Sequence, residues 1–193
     1  KKMVADGDTV VTYSTTTVQS HHDIEPMPNG NVLIIAWEVK SATQAVQAGL
    51  SRSVVMWPDH IIEVQPSGTS GGTIVWQWHA WDHLIQDYNS AKDNYGVVGD
   101  HPELLDINAG SSEIPPGGGD WMHINAISYD PIHDQIVISS HNLDEIYVID
   151  HSTTTAEAAG HTGGNSGKGG DFLYRWGNPA NYDQSGTHYF YVC

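Results

Sequence analysis

Apolar and polar positions along the first eighty residues sort into short β-like runs separated by turn signals. SHHDIEPMPNGNVLIIAWEV, residues 20–39, reads as one strand, a Pro-Asn-Gly turn at Pro28 to Gly30, and a strongly apolar strand from Val32 to Trp37. HIIEVQPSGTSGGTIVWQWH, residues 60–79, gives a third strand, a Gly/Ser turn, and a fourth strand on which Trp76 and Trp78 alternate with polar neighbours. Upstream, the β-branched run VVTYSTTTV favours one more strand. Lys40 to Arg52 is less patterned.

The rhythm breaks over residues 80–119. WDHLIQDYNSAKDNYG and HPELLDI mix helix-compatible stretches with turn residues, and SSEIPPGGGD closes the region as a loop, so a partly helical insertion is expected here. The four-strand pattern then returns. Setting His22 on Asn125 places Ile24 on Ile127, Pro28 on Pro131, and Leu33-Ile34-Ile35-Ala36 on Ile136-Val137-Ile138-Ser139. Ile61-Ile62-Glu63-Val64 likewise resembles Ile146-Tyr147-Val148-Ile149, and Ile74-Val75-Trp76-Gln77-Trp78 resembles Phe172-Leu173-Tyr174-Arg175-Trp176.

Repeated four-strand units joined by turns are the signature of propeller blades. The chain is therefore expected to be all-β and part of a single β-propeller domain spanning 1–193. Its parts are a blade at about 20–79, the insertion at about 80–119, a second blade at about 120–179, and the start of a further blade at about 187–193, in HYFYVC. Two blades do not close a ring that needs roughly four to eight, so the expectation is either a portion of a larger propeller or several chains assembling.

Composition agrees with a turn-rich, aromatic-rich β protein: 20 Gly, 7 Trp and 9 Tyr stand against 2 Phe, with 39% hydrophobic residues. The formal net charge of -16 repels a phosphate backbone, which argues against nucleic acid and anionic membrane surfaces as partners. A lone cysteine, Cys193, leaves no intrachain disulfide, and no apolar run approaches the roughly 20 residues of a membrane span. The opening KKMVADGDTV lacks the apolar core of a signal peptide.

The chemistry-bearing residues sit beside the second blade's first strand. The repeat gives His22 and Asn125 equivalent positions on successive blades, so both are expected to face the same channel. The competing reading is that such polar residues only satisfy backbone groups across the channel. Converging histidines raise the question of a metal, but HAWDH at 79–83 lacks the glutamate of HExxH, so His79 and His83 read as structural groups that fix the insertion and no metal is expected. GGNSGKGG at 163–170 has neither the spacing nor the Ser/Thr of a phosphate loop and reads as a flexible inter-strand loop.

At His21-His22-Asp23, WQWHAWDHL, DWMHIN and VIDHSTTTAEAAGHTGGNSGKGGDFLYRWGNP, the sequence resembles the bacterial arylsulfotransferase family over about residues 20–190. The resemblance implies a six-bladed β-propeller, periplasmic or secreted, that moves a sulfuryl group from a phenolic sulfate ester to a phenol acceptor. The transfer runs through a histidine and uses no cofactor. It also implies site residues: the DWxHxN motif falls on Asp120, Trp121, His123 and Asn125, and the HHD motif on His21, His22 and Asp23. His22, His123, Asn125 and His141 are the expected catalytic set, with His21, Asp23, Asp120 and Ser140 expected to bind substrate.

Two departures qualify that implication. Ser139-Ser140-His141 stands where the family reads Ser-Ser-Arg, which replaces a fixed cation with a titratable ring. The family's sulfate-accepting histidine belongs to a segment that would begin near Cys193 and is expected outside the chain. The alternative function is a non-catalytic propeller that binds a small molecule or carbohydrate, or serves as an interaction scaffold.

Overall fold

The computed structural model describes residues 3–5, 9–11, 18–69 and 71–189; most of the Thr-rich lead-in and the last four residues of the expected third blade fall outside these. A short ladder, β1 (Met3–Ala5) with β2 (Thr9–Val11), precedes the first sheet. That sheet begins with β3 (Val18–Pro26) and β4 (Val32–Glu38). The chain then leaves it for α1 (Ala42–Ala48) and β5 (Met56–Trp57), and returns as β6 (Asp59–Ser67) and β7 (Gly71–His79). The sheet is antiparallel and four-stranded, in the order β3-β4-β6-β7.

Helix α1 lies in the stretch that hydrophobic patterning leaves blank. Its ends are nevertheless written in the sequence: Ser41 and Gln44 form a reciprocal capping box, and Gly49 closes the helix at φ 109°. The insertion, in contrast, is less helical than expected. It contains single 3-10 turns at Ala80–His83 and Val98–Asp100, and β8 (Leu84–Ile85) pairs in parallel with β9 (Leu105–Asp106). Side chains take over the backbone there: Asn89 N–H donates to Gln86 Oε1 at 2.8 Å and Ala91 N–H to Asn89 Oδ1 at 3.0 Å, local bonds that compete with a helix.

After the insertion, β10 (Gly119–Asp120) pairs in parallel with β5. The second sheet follows as β11 (Ile124–Asp130), β12 (Gln135–Ser140), β13 (Glu145–Asp150) and, beyond the short helix α2 (Thr155–Ala158), β14 (Tyr174–Trp176). Its order repeats that of the first. The described residues thus form an all-β unit of two stacked four-stranded sheets, not a closed ring. Among them no helix is long and apolar enough to cross a membrane.

The registers correct the repeat in one strand. Ile34 pairs with Ile24 and Ile62, and Ile138 pairs with Ile127 and Tyr147, so Leu33 to Ala36 match Val137 to Ser140, one residue later than the gap-free comparison places them. The cause is the turn, which carries one more residue between Tyr129 and Ile136 than between Pro26 and Val32. A one-residue slip exchanges the faces of a strand. Leu33, Ile35, Ile61 and Trp78 therefore pack, fully buried, in one core with Ile136, Ile138, Tyr147 and Ile149 of the second sheet. Their own counterparts, Val137, Ser139, Ile146 and Trp176, lie on the far face of that sheet.

Polar clips hold the stack. Trp76 Nε1–H donates to Thr153 Oγ1 at 3.1 Å and Trp78 Nε1–H to the Gly170 carbonyl at 2.8 Å, so both indoles of β7 end on the loop that follows β13. Arg175 Nε–H donates to Glu145 Oε1 at 3.0 Å while its Nη1 donates to the Leu104 carbonyl at 2.9 Å, tying the insertion to the second sheet. The glycine-rich stretch after α2 is also pinned, by Ser166 N–H to Asp150 Oδ2 at 2.8 Å and Gly170 N–H to the Gly160 carbonyl at 3.0 Å.

One acid in the insertion works against stability. Partial burial, reinforced by the nearby carboxylates of Asp87 and Asp183, pushes Asp106 on β9 up to about 6. Below about pH 4 the carboxyl is protonated in both folded and unfolded chains, and between about pH 4 and 6 only the folded chain keeps the proton, so stability falls as pH rises through that window. Asp106→Asn keeps the acceptor for the Asn108 N–H, which sits 2.9 Å from Oδ1. The variant is expected to match the parent in urea titrations at pH 4 and to exceed it by about 1–2 kcal/mol at pH 7.5, a figure discounted for the partial exposure of the group.

Candidate functional site

The first strand of each sheet is interrupted at the same place. In β3 the register shifts between Ser20 and Ile24, and in β11 between Ile124 and Ala126, so His21, His22 and Asp23 occupy one bulge and Asn125 the other. The expected equivalence of His22 and Asn125 therefore corresponds to two bulges side by side. His22 sits at φ 46° and His123, just before the second bulge, at φ 55°, backbone conformations that turn each ring out of the strand's ordinary alternation.

The rings of His22, His123 and His141 form a row: centroids of the first two are 4.4 Å apart and those of the second two 5.2 Å. His22 and His141 are exposed and His123 is half-buried. His141 reaches the row because its own N–H donates to the His123 carbonyl at 3.0 Å, while Asn142 N–H and the Ser140 hydroxyl both donate to the Met122 carbonyl. The turn after β12 is thus fastened to the segment entering β11. Trp121, fully buried, anchors that segment from the other side by donating to the Ala109 carbonyl at 2.8 Å.

Carboxylates stand behind the row, not in it. Asp120 accepts from His123 Nδ1 with one oxygen and from Trp37 Nε1–H, at 3.0 Å, with the other. This bond fixes the ring and its tautomer and leaves Nε2 as the atom that meets a ligand. His21 is buried, stacks on Trp37 with centroids 3.9 Å apart at 9°, and shares a 2.9 Å Nδ1 contact with His22 Nδ1. Its Nε2 lies 2.9 Å from Asp59 Oδ1, at an angle poor for a hydrogen bond. Complete burial, followed by the field of Asp120, drives Asp59 well above the usual carboxylate range, so this carboxyl is held toward its neutral form.

The eight residues singled out in the sequence therefore play different parts. His22, His123 and His141 come together at one end of the inner strands. Asn125, in the bulge that follows His123, accepts at Oδ1 from the Ser139 hydroxyl at 2.7 Å. His21, Asp120 and Ser140 support the three rings from behind. Asp23 joins the two inner strands, with Oδ1 taking the Ile24 N–H at 2.9 Å and Oδ2 the Ile127 N–H at 3.3 Å. Trp37 and Asp59 are additions that the sequence reading missed. Asp59 opens β6 just ahead of the apolar pair Ile61-Ile62, and an acid at the buried start of an inner strand is the signal that could have marked it.

A separate cleft of about 530 Å³ between α1 and the insertion, lined by Gln44, Gln47, Trp81, Asp82 and Asp93, contains none of these residues. The groups that make up the row are three imidazoles. In a protein of net charge -16 that is a local exception, and it suits an anion with several oxygens. Comparison with known families gives a match over residues 4–157 to the one described as arylsulfotransferase (ASST). No curated protein matches the chain.

Proposed function

The chain belongs to the arylsulfotransferase family, and from that membership we propose that the row formed by His22, His123 and His141 binds the sulfuryl group of an aryl sulfate ester in a β-propeller enzyme that passes the group to a phenol. The observation that carries this reading is the sorting of charge at the site. Rings able to donate protons lie in front, at centroid spacings of 4.4 and 5.2 Å, while behind them the Asp120 carboxylate is taken up by His123 and Trp37 and the Asp59 carboxyl is held toward its neutral form.

Sulfuryl transfer breaks the bond between sulfur and the leaving phenol oxygen as a new bond to sulfur forms. Negative charge stays on the sulfuryl oxygens and builds on the departing oxygen, and N–H donors fixed at those points lower the barrier. His123, oriented by Asp120, would hold sulfuryl oxygens, and the family motif gives Asn125 the same role. His22 and His141, the exposed members, would meet the developing charge on either side. His141 supplies an imidazole donor where the family's arginine supplies a planar guanidinium with several N–H groups.

The propeller part of the reading is supported by the far face of the second sheet. Trp78 is fully buried against that sheet, whereas its counterpart Trp176 is 42% exposed on a face it shares with Val137, Ser139 and Ile146. A further four-stranded sheet seated there would continue the stack around an axis near the histidine row. Export to the periplasm or beyond belongs to the same proposal and rests on the family alone.

Incubation of the protein, as the cell makes it, with 4-nitrophenyl sulfate and phenol is expected to release 4-nitrophenolate in proportion to added phenol. In the 193-residue chain, 4-nitrophenyl sulfate is expected to shift the imidazole NMR signals of His22, His123 and His141. Absence of both release and shifts would sink the proposal.

A further inference from the structure

A second histidine cluster shares no hydrogen-bond partner with the row. We propose that His83, His161 and Asp171 form a zinc site that staples the loop after β13 to the start of the insertion.

His83 closes the 3-10 turn at Ala80–His83, is 1% exposed, and stacks on Trp78 at a centroid distance of 5.5 Å and an angle of 5°. Its Nε2 lies 2.9 Å from the Ala158 carbonyl, which can only accept, so Nε2 carries a proton. In the neutral ring Nδ1 then has only a lone pair, and that nitrogen sits 2.8 Å from Asp171 Oδ1. A contact of this length is satisfied by a second proton on the ring or by a cation held between the two groups. His161 Nδ1 reaches the same carboxylate oxygen at 2.8 Å. Three donor groups therefore meet around one point, within 4.8 Å of one another.

The surroundings match what a metal-bound imidazole needs. A ligating histidine donates its rear N–H to a carbonyl or carboxylate, as His83 does to Ala158. Gly170 keeps this approach open: a Cβ there would fall 2.0 Å from the Ala158 oxygen and 2.6 Å from His83 Nε2. Two imidazoles and one carboxylate are borderline donors that suit zinc, whereas calcium and magnesium prefer all-oxygen shells. With zinc at about 2.0–2.1 Å from each donor, the donor separations open to roughly 3.3 Å and water fills the fourth position. His161, whose side chain is 60% exposed, gives the ion its way in. The ligands lie 88 residues apart along the chain in the case of His83 and Asp171, which is why no local spacing announces them.

The test titrates zinc chloride into the 193-residue chain after removal of metal with EDTA, by calorimetry and by thermal melting. One zinc per chain is expected, with a rise in Tm on loading. His161→Ala, at an exposed position that leaves the packed core untouched, should melt like the metal-free parent yet bind zinc at least about 100-fold more weakly, since even changes behind a metal ligand cost about 10–100-fold. His22→Ala should keep the site intact. A parent chain that takes up no stoichiometric zinc overturns the proposal, as does undiminished binding by His161→Ala or loss of binding in His22→Ala. Each of those results leaves an ordinary His-Asp-His ion pair.

Discussion

His123→Ala is expected to lower the rate of sulfuryl transfer by about 10²–10⁴-fold, the range over which a positioned proton donor acts. The ring is the centre of the row, in contact with His22 on one side and His141 on the other. Its removal does more than delete a donor: Asp120 keeps only the Trp37 indole as its partner and turns a carboxylate charge toward an anionic ligand. If the ring stabilises charge that develops during transfer, kcat falls with KM little changed; if it only binds ground-state sulfate, KM rises instead. The backbone at φ 55° complicates an alanine there, because L residues other than Asn and Asp adopt it poorly. His123→Asn tolerates that conformation and retains a donor, so it should recover part of the rate. Release of 4-nitrophenolate within about threefold of the parent by His123→Ala would remove this residue from the chemistry.

The sequence made the strands and their repetition visible because apolar runs rich in β-branched residues, turn residues and a last strand with alternating aromatics recur in the same order. It did not fix which way β4 faces. Leu33, Ile34, Ile35 and Ala36 are all fully buried, on both sides of the strand, so no alternation distinguishes one register from the next. The extra residue in the turn before β12 had to be seen in the pairing. Helix α1 was legible in principle, from Ser41, Gln44 and Gly49, but its apolar stripe is only Ala45 and Ala48, too slight to register as a period.

At the site, the motifs named the histidines, and the structure supplied what lies behind them. Asp59 contacts His21 and accepts the Ile124 N–H at 3.3 Å across 65 residues of chain, and Trp37 reaches Asp120 across 83. Contacts of that span leave no trace in local spacing. The left-handed backbone at His22 and His123 is equally silent in sequence, since neither position is a glycine that would advertise it. Structure also divided residues that the motifs treat alike: Asp23 is consumed by backbone N–H groups of both inner strands, whereas Asp120 serves a ring.

Trp78 and Trp176 occupy the same place in the two sheets, opposite Ile61 and Ile146, and their replacement should give very different results. Trp78→Ala is expected to cost about 3–5 kcal/mol and to lower Tm by about 10 °C, because an indole with no exposed surface is removed from between the sheets. The loss includes its stacking on His83, its contact with Phe172 at 6.1 Å, and its bond to the Gly170 carbonyl, which is left without that donor. Trp176→Ala removes a ring that is 42% exposed and rests on Tyr189 at 5.8 Å, so urea titration of the 193-residue chain should show a cost of about 1 kcal/mol or less. Equal costs for the two variants would contradict the register that places one tryptophan between the sheets and the other on the far face. In a polypeptide where a further sheet covers that face, Trp176→Ala should become as costly as Trp78→Ala is here, because the same residue at the same position of the repeat would then be buried in the same way. The difference between those two measurements therefore reports on the propeller directly, independently of any sulfuryl transfer.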